Sequence, residues 1–196
     1  MKTNRFRSTI KWLDYFKDII NVHCPNCNKK AQLLRKFDDQ IIYRDSYEFQ
    51  CNNCYVEIKE IEKFIYNVNR NCPFCPEVIH YKSTPTVKIK KEVEVICKGC
   101  KEKIRYIPKV ESVYDWMQKG ENVEFLYWFI EEFRGNIFWA LNDKHLEYLE
   151  NFVFAKLRQR TIEPYGMMLI DKLPQFIKDK KNRGELLKLI SKMKEK

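Results

Sequence analysis

The sequence predicts an α+β protein with two small antiparallel four-cysteine sheets, an α-helical C-terminal domain after them and a helix at the N-terminus. Three observations lead to this fold class. All eight cysteines fall in four Cys-x-x-Cys pairs, the segments between pairs alternate like strands, and the apolar period lengthens to about 3.6 after residue 111. The predicted ranges are 1–21 for the N-terminal helix, 22–66 and 67–110 for the two sheets, and 111–196 for the helical domain.

The four cysteine pairs form an internal repeat. Twenty-three residues separate the first pair from the second, and twenty-one separate the third from the fourth. The pairs are Cys24/Cys27, Cys51/Cys54, Cys72/Cys75 and Cys97/Cys100. No cysteine is left over, so the same unit occurs twice.

The spacing within each pair indicates a metal site. Two residues between cysteines allow a tight turn that brings both sulfurs to one ion, and two such turns complete a tetrahedral Zn²⁺ site. The sequence therefore predicts two zinc ions. Cross-bracing, in which the first pair joins the third and the second joins the fourth, remains open. Disulfides are another alternative, but the N-terminal segment MKTNRFRSTIKWLDYF lacks the apolar run of a signal peptide that would lead to an oxidising compartment.

The knuckles CPNC and CPFC, each followed by a hairpin that leads to a second knuckle, resemble those of zinc ribbons of the transcription factor IIB type. The resemblance covers about residues 22–110 and implies two closed structural zinc sites. It implies no single activity, because ribbons serve in transcription factors, polymerase subunits, ribosomal proteins and adaptors. The segments HLEYLENFVFAKLRQR and KLPQFIKDKKNRGELLKLI resemble the C-terminal part of bacterial proteins known only to contain zinc ribbons.

Apolar spacing predicts the elements in order. A stripe at intervals of three and four indicates a helix over 4–21; its members are Phe6, Ile10, Leu13, Phe16 and Ile20. The predicted strands are 31–37, 41–50 and 55–61 in the first sheet, with a turn at 38–40, and 78–83, 87–97 and 101–107 in the second, with a turn at 84–86.

Helical periodicity is predicted beyond Pro108. The expected helices are 112–120 closed by Gly120, 122–141 with an interruption near Gly135, 143–160 with Asp143 as N-cap, and 167–173. A final helix is expected to begin at Asn182, with Glu185 completing a capping box.

The composition describes an ordered, basic chain. Of its 196 residues 44% are hydrophobic, and the formal net charge is +10. Four thiolates around one Zn²⁺ carry −2, so two filled sites lower the charge to about +6. No segment approaches the roughly 20 apolar residues of a membrane span, and we expect a soluble cytoplasmic protein without a membrane partner.

Positive charge is concentrated in the second repeat and in the C-terminal segment. Residues 70–110 contain ten Lys or Arg and four acidic residues, and residues 156–196 contain twelve and five. Such side chains on a rigid sheet can contact successive phosphates, and Tyr81 and Tyr106 could stack on bases. The predicted contacts with DNA or RNA are Lys88, Lys90, Lys98, Lys101, Lys103, Arg105, Lys180, Lys181 and Arg183. A merely solvated surface is the alternative.

We therefore expect a non-enzymatic nucleic-acid-binding protein, of a kind used in transcription, mobile-element or defence complexes. The rival is an adaptor that docks on a protein partner through the first ribbon or the helical domain. The first ribbon offers the aromatic residues Tyr43, Tyr47, Phe49 and Tyr55 for such contacts. Catalysis is not expected, because the three histidines are scattered, only five glycines are present and the zinc sites look closed.

Overall fold

The computed structural model describes residues 5–7, 10, 12–36, 45–158 and 167–196. The strands are β1 (Arg5–Phe6), β2 (Ile19–His23), β3 (Lys30–Lys36), β4 (Ser46–Gln50), β5 (Lys59–Asn71), β6 (Val78–Lys82), β7 (Val93–Ile96), β8 (Lys103–Tyr106), β9 (Lys109–Gln118), β10 (Glu121–Val123), β11 (Phe129–Phe133), β12 (Asn136–Ala140) and β13 (Leu157–Arg158). The helices are α1 (Asp143–Phe154), α2 (Gln175–Lys178) and α3 (Arg183–Lys194), with 3₁₀ helices at Leu13–Phe16, Leu169–Lys172 and Lys180–Asn182. Within these residues no helix combines the length and the apolar character needed to cross a membrane.

Contacts between residues divide the chain into two units. Unit 1 consists of Met1–Glu57 and Glu124–Lys196, and unit 2 is the intervening Ile58–Val123. The cysteine repeat is shared between them, because the first two pairs belong to unit 1 and the last two to unit 2. The predicted helical range 111–196 also falls in both units.

The first cysteine pair lies at a turn of a three-stranded antiparallel sheet in unit 1. The strand order is β2-β3-β4, and Val22 of β2 faces Ala31 of β3. The other edge of β2 bonds to residues that follow unit 2 in the sequence. The Asn21 N–H donates to the Leu141 carbonyl at 2.7 Å, and the Asn21 carbonyl accepts from the Trp128 N–H at 2.9 Å. This sheet is therefore joined to the C-terminal part of unit 1 by backbone hydrogen bonds.

Two helices and a hairpin supply the larger core of unit 1. Strands β11 and β12 pair antiparallel, α1 and α3 pack on each other, and each helix also contacts one strand of the hairpin. The buried side chains of this core include Phe129, Phe138, Leu146, Leu149, Val153, Leu186, Ile190 and Met193. An ion pair of 2.7 Å between Lys194 Nζ and the Glu150 carboxylate joins α3 to α1.

The prediction of an N-terminal helix is wrong for the described part of 4–21. Only the four-residue 3₁₀ helix Leu13–Phe16 is helical there, and β1 and β2 are strands. The physical reason is that the backbone of β2 forms hydrogen bonds on both edges. One edge bonds to β3, and the other bonds to Trp128 and Leu141. The apolar stripe is still used for burial, because Phe6, Phe16 and Ile20 are all buried.

The third strand of the first sheet also differs from the prediction. Segment 55–61 was expected to supply it, but β2 does, and β5 begins at Lys59 as part of unit 2. The strands predicted at 31–37 and 41–50 are found as β3 and β4, over Lys30–Lys36 and Ser46–Gln50. The predicted turn at 38–40 lies outside the described residues.

Unit 2 contains a four-stranded antiparallel sheet and a separate two-stranded hairpin. The sheet has the order β10-β9-β5-β6, and β7 pairs with β8. One hydrophobic cluster joins β5 and β6 to β7 and β8; its buried members are Tyr66, Val68, Cys72, Ile79, Val93, Val95 and Cys97. Cysteines from two different knuckles are thus part of the hydrophobic core of this small unit.

The helices predicted between residues 112 and 141 are wrong, because this stretch forms β9, β10, β11 and β12. Gly120, expected to close a helix, is instead part of a two-residue hairpin turn with Lys119, at φ values of 89° and 49°. Gly135 forms the same kind of turn with Arg134, at 74° and 51°. Two consecutive left-handed residues match the twist of a tight hairpin, which explains both glycines.

The later helices are confirmed with changed ends. Helix α1 starts as expected but stops at Phe154, and its N-cap is Asn142 rather than Asp143. Helix α3 is found without the capping box, because the Glu185 carboxylate pairs with the guanidinium of Arg134. In unit 2 the strand predicted over 87–97 is shorter, since only Val93–Ile96 pairs with β8.

Asn142 connects the start of α1 to the N-terminal segment. Its side-chain oxygen accepts from the His145 N–H at 2.9 Å. Its amide donates to the carbonyls of Phe16 and Ile19 at 2.7 and 2.6 Å. The residue is only 8% exposed, so water cannot readily replace these partners.

Replacing Asn142 by alanine should lower the free energy of unfolding by about 2–4 kcal/mol, because the helix loses its cap and two carbonyls lose their donor. Equilibrium denaturation in urea measures the change. Asn69→Ala is the control, since Asn69 is exposed on β5, and a surface substitution should stay within about 0.5 kcal/mol. Equal stability of the two variants would contradict this role of Asn142.

Candidate metal centres

The four knuckles bring all eight cysteines into two clusters. Cys24, Cys27, Cys51 and Cys54 form site 1, and Cys72, Cys75, Cys97 and Cys100 form site 2. Within each cluster all four sulfurs lie within 4.8 Å of one another. The pairs therefore combine consecutively, and the cross-braced arrangement is not the one found.

The distances between sulfurs fit a shared ion and not covalent bonds. In site 1 the Sγ atoms of Cys24 and Cys54 are 3.5 Å apart, and in site 2 those of Cys72 and Cys100 are 3.6 Å apart. A disulfide would need about 2.05 Å, and all eight thiols are free. A regular tetrahedron with metal–sulfur bonds of about 2.3 Å has edges of about 3.8 Å. Each cluster could therefore hold one metal ion.

A common backbone turn shapes three of the four knuckles. The residue after the second cysteine is left-handed in each of them, with φ of 55° at Asn28, 52° at Tyr55 and 66° at Lys101. The N–H of that residue donates to the carbonyl of the first cysteine, at 2.8, 3.0 and 3.1 Å respectively. Pro76 occupies the corresponding position in the third knuckle and has no N–H to donate. That knuckle keeps the bond from the N–H of its first cysteine to the carbonyl five residues later, at 2.8 Å from Cys72 to Glu77, which the first and fourth knuckles also have.

Backbone donors and burial give the sulfurs different acidities. The N–H of Val56 is the main reason that the pKa of Cys54 falls to about 6. In site 2 the N–H groups of Cys100 and Gly99 outweigh burial and lower the pKa of Cys97 to about 7. Burial acts in the opposite direction on Cys24 and raises its pKa to about 12. A cation is therefore needed for all four sulfurs of a site to be thiolates together.

Gly99 lies inside the last knuckle and packs against a sulfur from the other knuckle of site 2. A Cβ atom at this position would lie 3.1 Å from Cys75 Sγ and 3.4 Å from Glu77 Cβ. The first distance is shorter than ordinary contacts, so any side chain here would displace a candidate ligand. Glycine is therefore favoured at this position, because it is the residue without a Cβ atom.

The six basic residues predicted in the second repeat all belong to unit 2 and all are exposed. Lys103 and Arg105 lie on the outward face of β8, and Arg105 is in register with Glu94 of β7. Lys98 and Lys101 lie in the last knuckle. Lys88 and Lys90 lie in the loop before β7 rather than on a strand.

The three basic residues predicted near the C-terminus belong to unit 1. Lys180 and Lys181 are exposed in a 3₁₀ turn. Arg183 is tied into the fold, because its Nη2 donates to the Ala155 carbonyl at 2.9 Å and its Nε atom is buried. This geometry favours a structural role for Arg183 over contact with an external phosphate.

The aromatic residues predicted for contacts are partly used inside the fold. Phe49 is buried and stacks on Phe125 with ring centroids 5.1 Å apart, whereas Tyr55 is 81% exposed. Tyr43 lies outside the described residues. Tyr81 and Tyr106 both pack against the core cluster of unit 2, which leaves them poorly placed for stacking on bases.

Two residues of consequence were not singled out by sequence reasoning. Tyr66 is 1% exposed, and its hydroxyl group lies within hydrogen-bond distance of two backbone groups of the loop before β7. His145 is 3% exposed and lines a cavity in unit 1. Neither belongs to a motif, and only their surroundings in the fold distinguish them.

Comparisons with known proteins do not add a family. No family model, no curated protein and no solved structure matches the chain significantly. The geometry therefore defines the class by itself: an α+β chain with two four-cysteine clusters that are compatible with tandem zinc-ribbon-like sites.

Gly99→Ala should weaken metal binding at site 2 by about tenfold, because the new methyl group pushes Cys75 Sγ away from its position. Competition with a chromophoric chelator measures the affinity of each site. Gly184→Ala is the matched control, since nothing lies within 4 Å of its Cβ position. An unchanged affinity at site 2 would show that the knuckle relaxes without cost.

Cys72→Ser should abolish amide protection in β7 and β8, because the small core of unit 2 includes the site 2 cysteines. Helices α1 and α3 should keep their protection, since their core is made of apolar side chains of unit 1. Hydrogen exchange followed by mass spectrometry reports both regions in one experiment. Loss of protection across α1 and α3 as well would contradict this expectation.

Proposed function

We propose that this chain is a non-enzymatic zinc protein of the transcription factor IIB ribbon type, in which unit 2 binds nucleic acid. The observation that carries the proposal is a loop of unit 2, residues 86–91, which is fixed by part-buried hydrogen bonds to Tyr66 and presents lysines to solvent. We call it the basic loop.

Zinc is the ion that the donor sets favour. Four cysteine sulfurs at tetrahedral spacing match the ligands and the geometry that Zn²⁺ takes in structural sites. Four protein ligands leave no position for water or substrate, so the proposed role of each ion is to hold the fold. A cytoplasmic location, where thiols stay reduced, is consistent with eight free cysteines.

The side chain of Tyr66 forms hydrogen bonds with the backbone of the basic loop. The Tyr66 hydroxyl donates to the Lys88 carbonyl at 2.8 Å and accepts from the Lys90 N–H at 2.8 Å. Thr86 adds backbone bonds with Phe64 in both directions, at 2.8 and 3.1 Å. These bonds already fix the backbone of the loop. Binding a ligand through the lysine side chains therefore costs little additional backbone conformational entropy.

The charge around the basic loop favours an anionic partner. Between residues 78 and 109 unit 2 carries nine Lys or Arg, all of them exposed, and three acidic residues. Within the described residues the side chains of Lys88, Lys90 and Lys98 make no ion pair. Lysines without a protein partner are available to neutralise phosphates and release counterions.

Two exposed apolar side chains lie beside the lysines of the basic loop. Ile89 is 81% exposed between Lys88 and Lys90, and Val87 is 59% exposed. Lysines flanking an apolar side chain suit a surface that offers phosphates and base edges together. Both single-stranded and double-stranded nucleic acids offer phosphates, so either could bind to this surface.

A protein adaptor is the second candidate, and exposed aromatic residues of unit 1 favour it. Tyr55, Tyr15 and Trp12 are 81%, 67% and 62% exposed. Aromatic side chains are enriched in the cores of protein interfaces. The adaptor role would use unit 1, whereas nucleic-acid binding would use unit 2, so the two can be tested separately.

Labelled single-stranded and double-stranded oligonucleotides, of both DNA and RNA, should bind the zinc-loaded protein with an affinity that falls as salt rises. Lys88→Gln combined with Lys90→Gln should reduce the slope of log affinity against log salt by about 1.5–2. Fluorescence anisotropy at several salt concentrations measures this slope.

Lys119→Gln is the matched control, because Lys119 is an exposed lysine of the same unit in the β9–β10 turn. It should leave the slope unchanged. No binding at low salt to any of the oligonucleotides, with the fold intact, would reject the proposal and favour the adaptor. If Lys119→Gln lowers the slope as much per lysine as the double variant does, overall charge and not the basic loop determines the binding.

A further inference from the structure

The two hydrogen bonds that Tyr66 makes to the basic loop lie on either side of one residue. The Lys88 carbonyl belongs to the peptide bond before Ile89, and the Lys90 N–H belongs to the peptide bond after it. Both groups bond to the same Tyr66 hydroxyl, each at 2.8 Å. Ile89 is therefore the residue at the apex of a turn whose two arms are held by one side chain.

This turn is fixed by the core of unit 2. The Tyr66 side chain is 1% exposed and belongs to the hydrophobic cluster of the unit. Before the apex, the Thr86 N–H donates to the Phe64 carbonyl at 3.1 Å, and the Lys88 N–H donates to Thr86 Oγ1 at 3.2 Å. The backbone on both sides of Ile89 is thus ordered before any ligand binds.

Ile89 presents an apolar side chain between two cations. It is 81% exposed, and Lys88 and Lys90 beside it are exposed as well. A single exposed apolar residue is ordinary on a protein surface, and Ile107 of the same unit is 80% exposed. Ile89 differs in its setting, because an anion that binds to the two lysines would bring its other groups onto this side chain.

The apolar surfaces of a nucleic acid are the faces of its bases. In a duplex these faces are stacked on one another, and a side chain reaches them only where a base step is unstacked. Burial of one isoleucine returns at most about as much free energy as that unstacking costs. In a single strand the faces are accessible, so the same burial is a net gain.

Charge alone would favour the opposite choice. A duplex carries a higher density of phosphates than a single strand, and it releases more counterions for each contact with a lysine. A preference for single strands would therefore come from contact with the bases and not from the lysines.

We propose, on the basis of the nucleic-acid binding proposed for unit 2, that the ligand is single-stranded and that Ile89 packs on the face of an unpaired base. Lys88 and Lys90 contact the phosphates on either side of that base. Ile89 thus takes the place of Tyr81 and Tyr106, whose rings pack against the core cluster. Tyr66 is a positioning residue, because it acts through the backbone of the loop.

Three DNA ligands of equal length test this contact in the full-length, zinc-loaded protein. They are a single strand, a strand of abasic sites with the same phosphates, and a duplex. Fluorescence anisotropy should show the single strand binding about tenfold tighter than the abasic strand and tighter than the duplex.

Ile89→Ser should remove the preference for the single strand over the abasic strand. The slope of log affinity against log salt should stay unchanged, because no lysine is lost. Ile89→Trp should instead strengthen binding of the single strand severalfold, since an aromatic ring stacks on a base. Ile107→Ser is the matched control, an equally exposed isoleucine of unit 2, and it should change neither affinity nor slope.

Tyr66→Phe tests the positioning role, because it keeps the ring in the core and removes the hydroxyl. Exchange of the Lys90 amide hydrogen, followed by NMR, should become at least tenfold faster. The preference for the single strand over the abasic strand should shrink, and the salt slope should remain. If this variant unfolds unit 2, the Ile89 variants still decide the question.

The outcomes separate this inference from the function on which it rests. No binding of any of the three ligands at low salt would reject both. Salt-dependent binding with equal affinity for the single strand and the abasic strand would reject the contact of Ile89 alone. The same holds for tighter binding of the duplex, or for equal losses in Ile89→Ser and Ile107→Ser.

Discussion

The fold depends on two clusters, in each of which four cysteine sulfurs lie close together. Each point joins two turns that are distant in the sequence, since Cys24 approaches Cys54 to 3.5 Å and Cys72 approaches Cys100 to 3.6 Å. Four thiols at this spacing have no reason to stay together without a cation, because burial opposes their charge and thiolates repel one another. A bound cation would offset both effects.

The two metal sites are expected to contribute different fractions of the folding stability of their units. Unit 2 has a small cluster in which Cys72 and Cys97 are core members, and a structural zinc can supply about 10–16 kcal/mol of apparent binding free energy there. Unit 1 adds a core of two helices and a hairpin, and β2 is bonded to Leu141 and Trp128 as well as to β3. Site 2 thus lies in a small unit, whereas site 1 is built into a larger one.

The candidate metal residues could be predicted from the sequence because Cys-x-x-Cys spacing is a local signal. Strands β3, β4, β6, β7 and β8 and the helices α1 and α3 were predictable for the same reason, because local periodicity indicates them. The helices predicted over 4–21 and 112–120 are wrong because long-range partners outweigh local periodicity, since β2 bonds to the Trp128 and Leu141 segments and β9 pairs with β5. The helix predicted over 122–141 is wrong because β11 and β12 pair with each other. Gly120 and Gly135 were local signals that could have indicated hairpins, each in a two-residue turn. The pairing of β2 with both β3 and the Trp128 region had no such signal.

Metal content measured together with thiol reactivity tests the central claim most directly. The protein purified from its native cell under reducing-agent-free, anaerobic conditions should contain two zinc ions per chain. Its eight cysteines should resist a thiol reagent until a strong chelator and a denaturant are added, and all eight should then react. A chain without zinc, or one whose cysteines stay unreactive after chelation and denaturation until a reductant is added, would contradict the account.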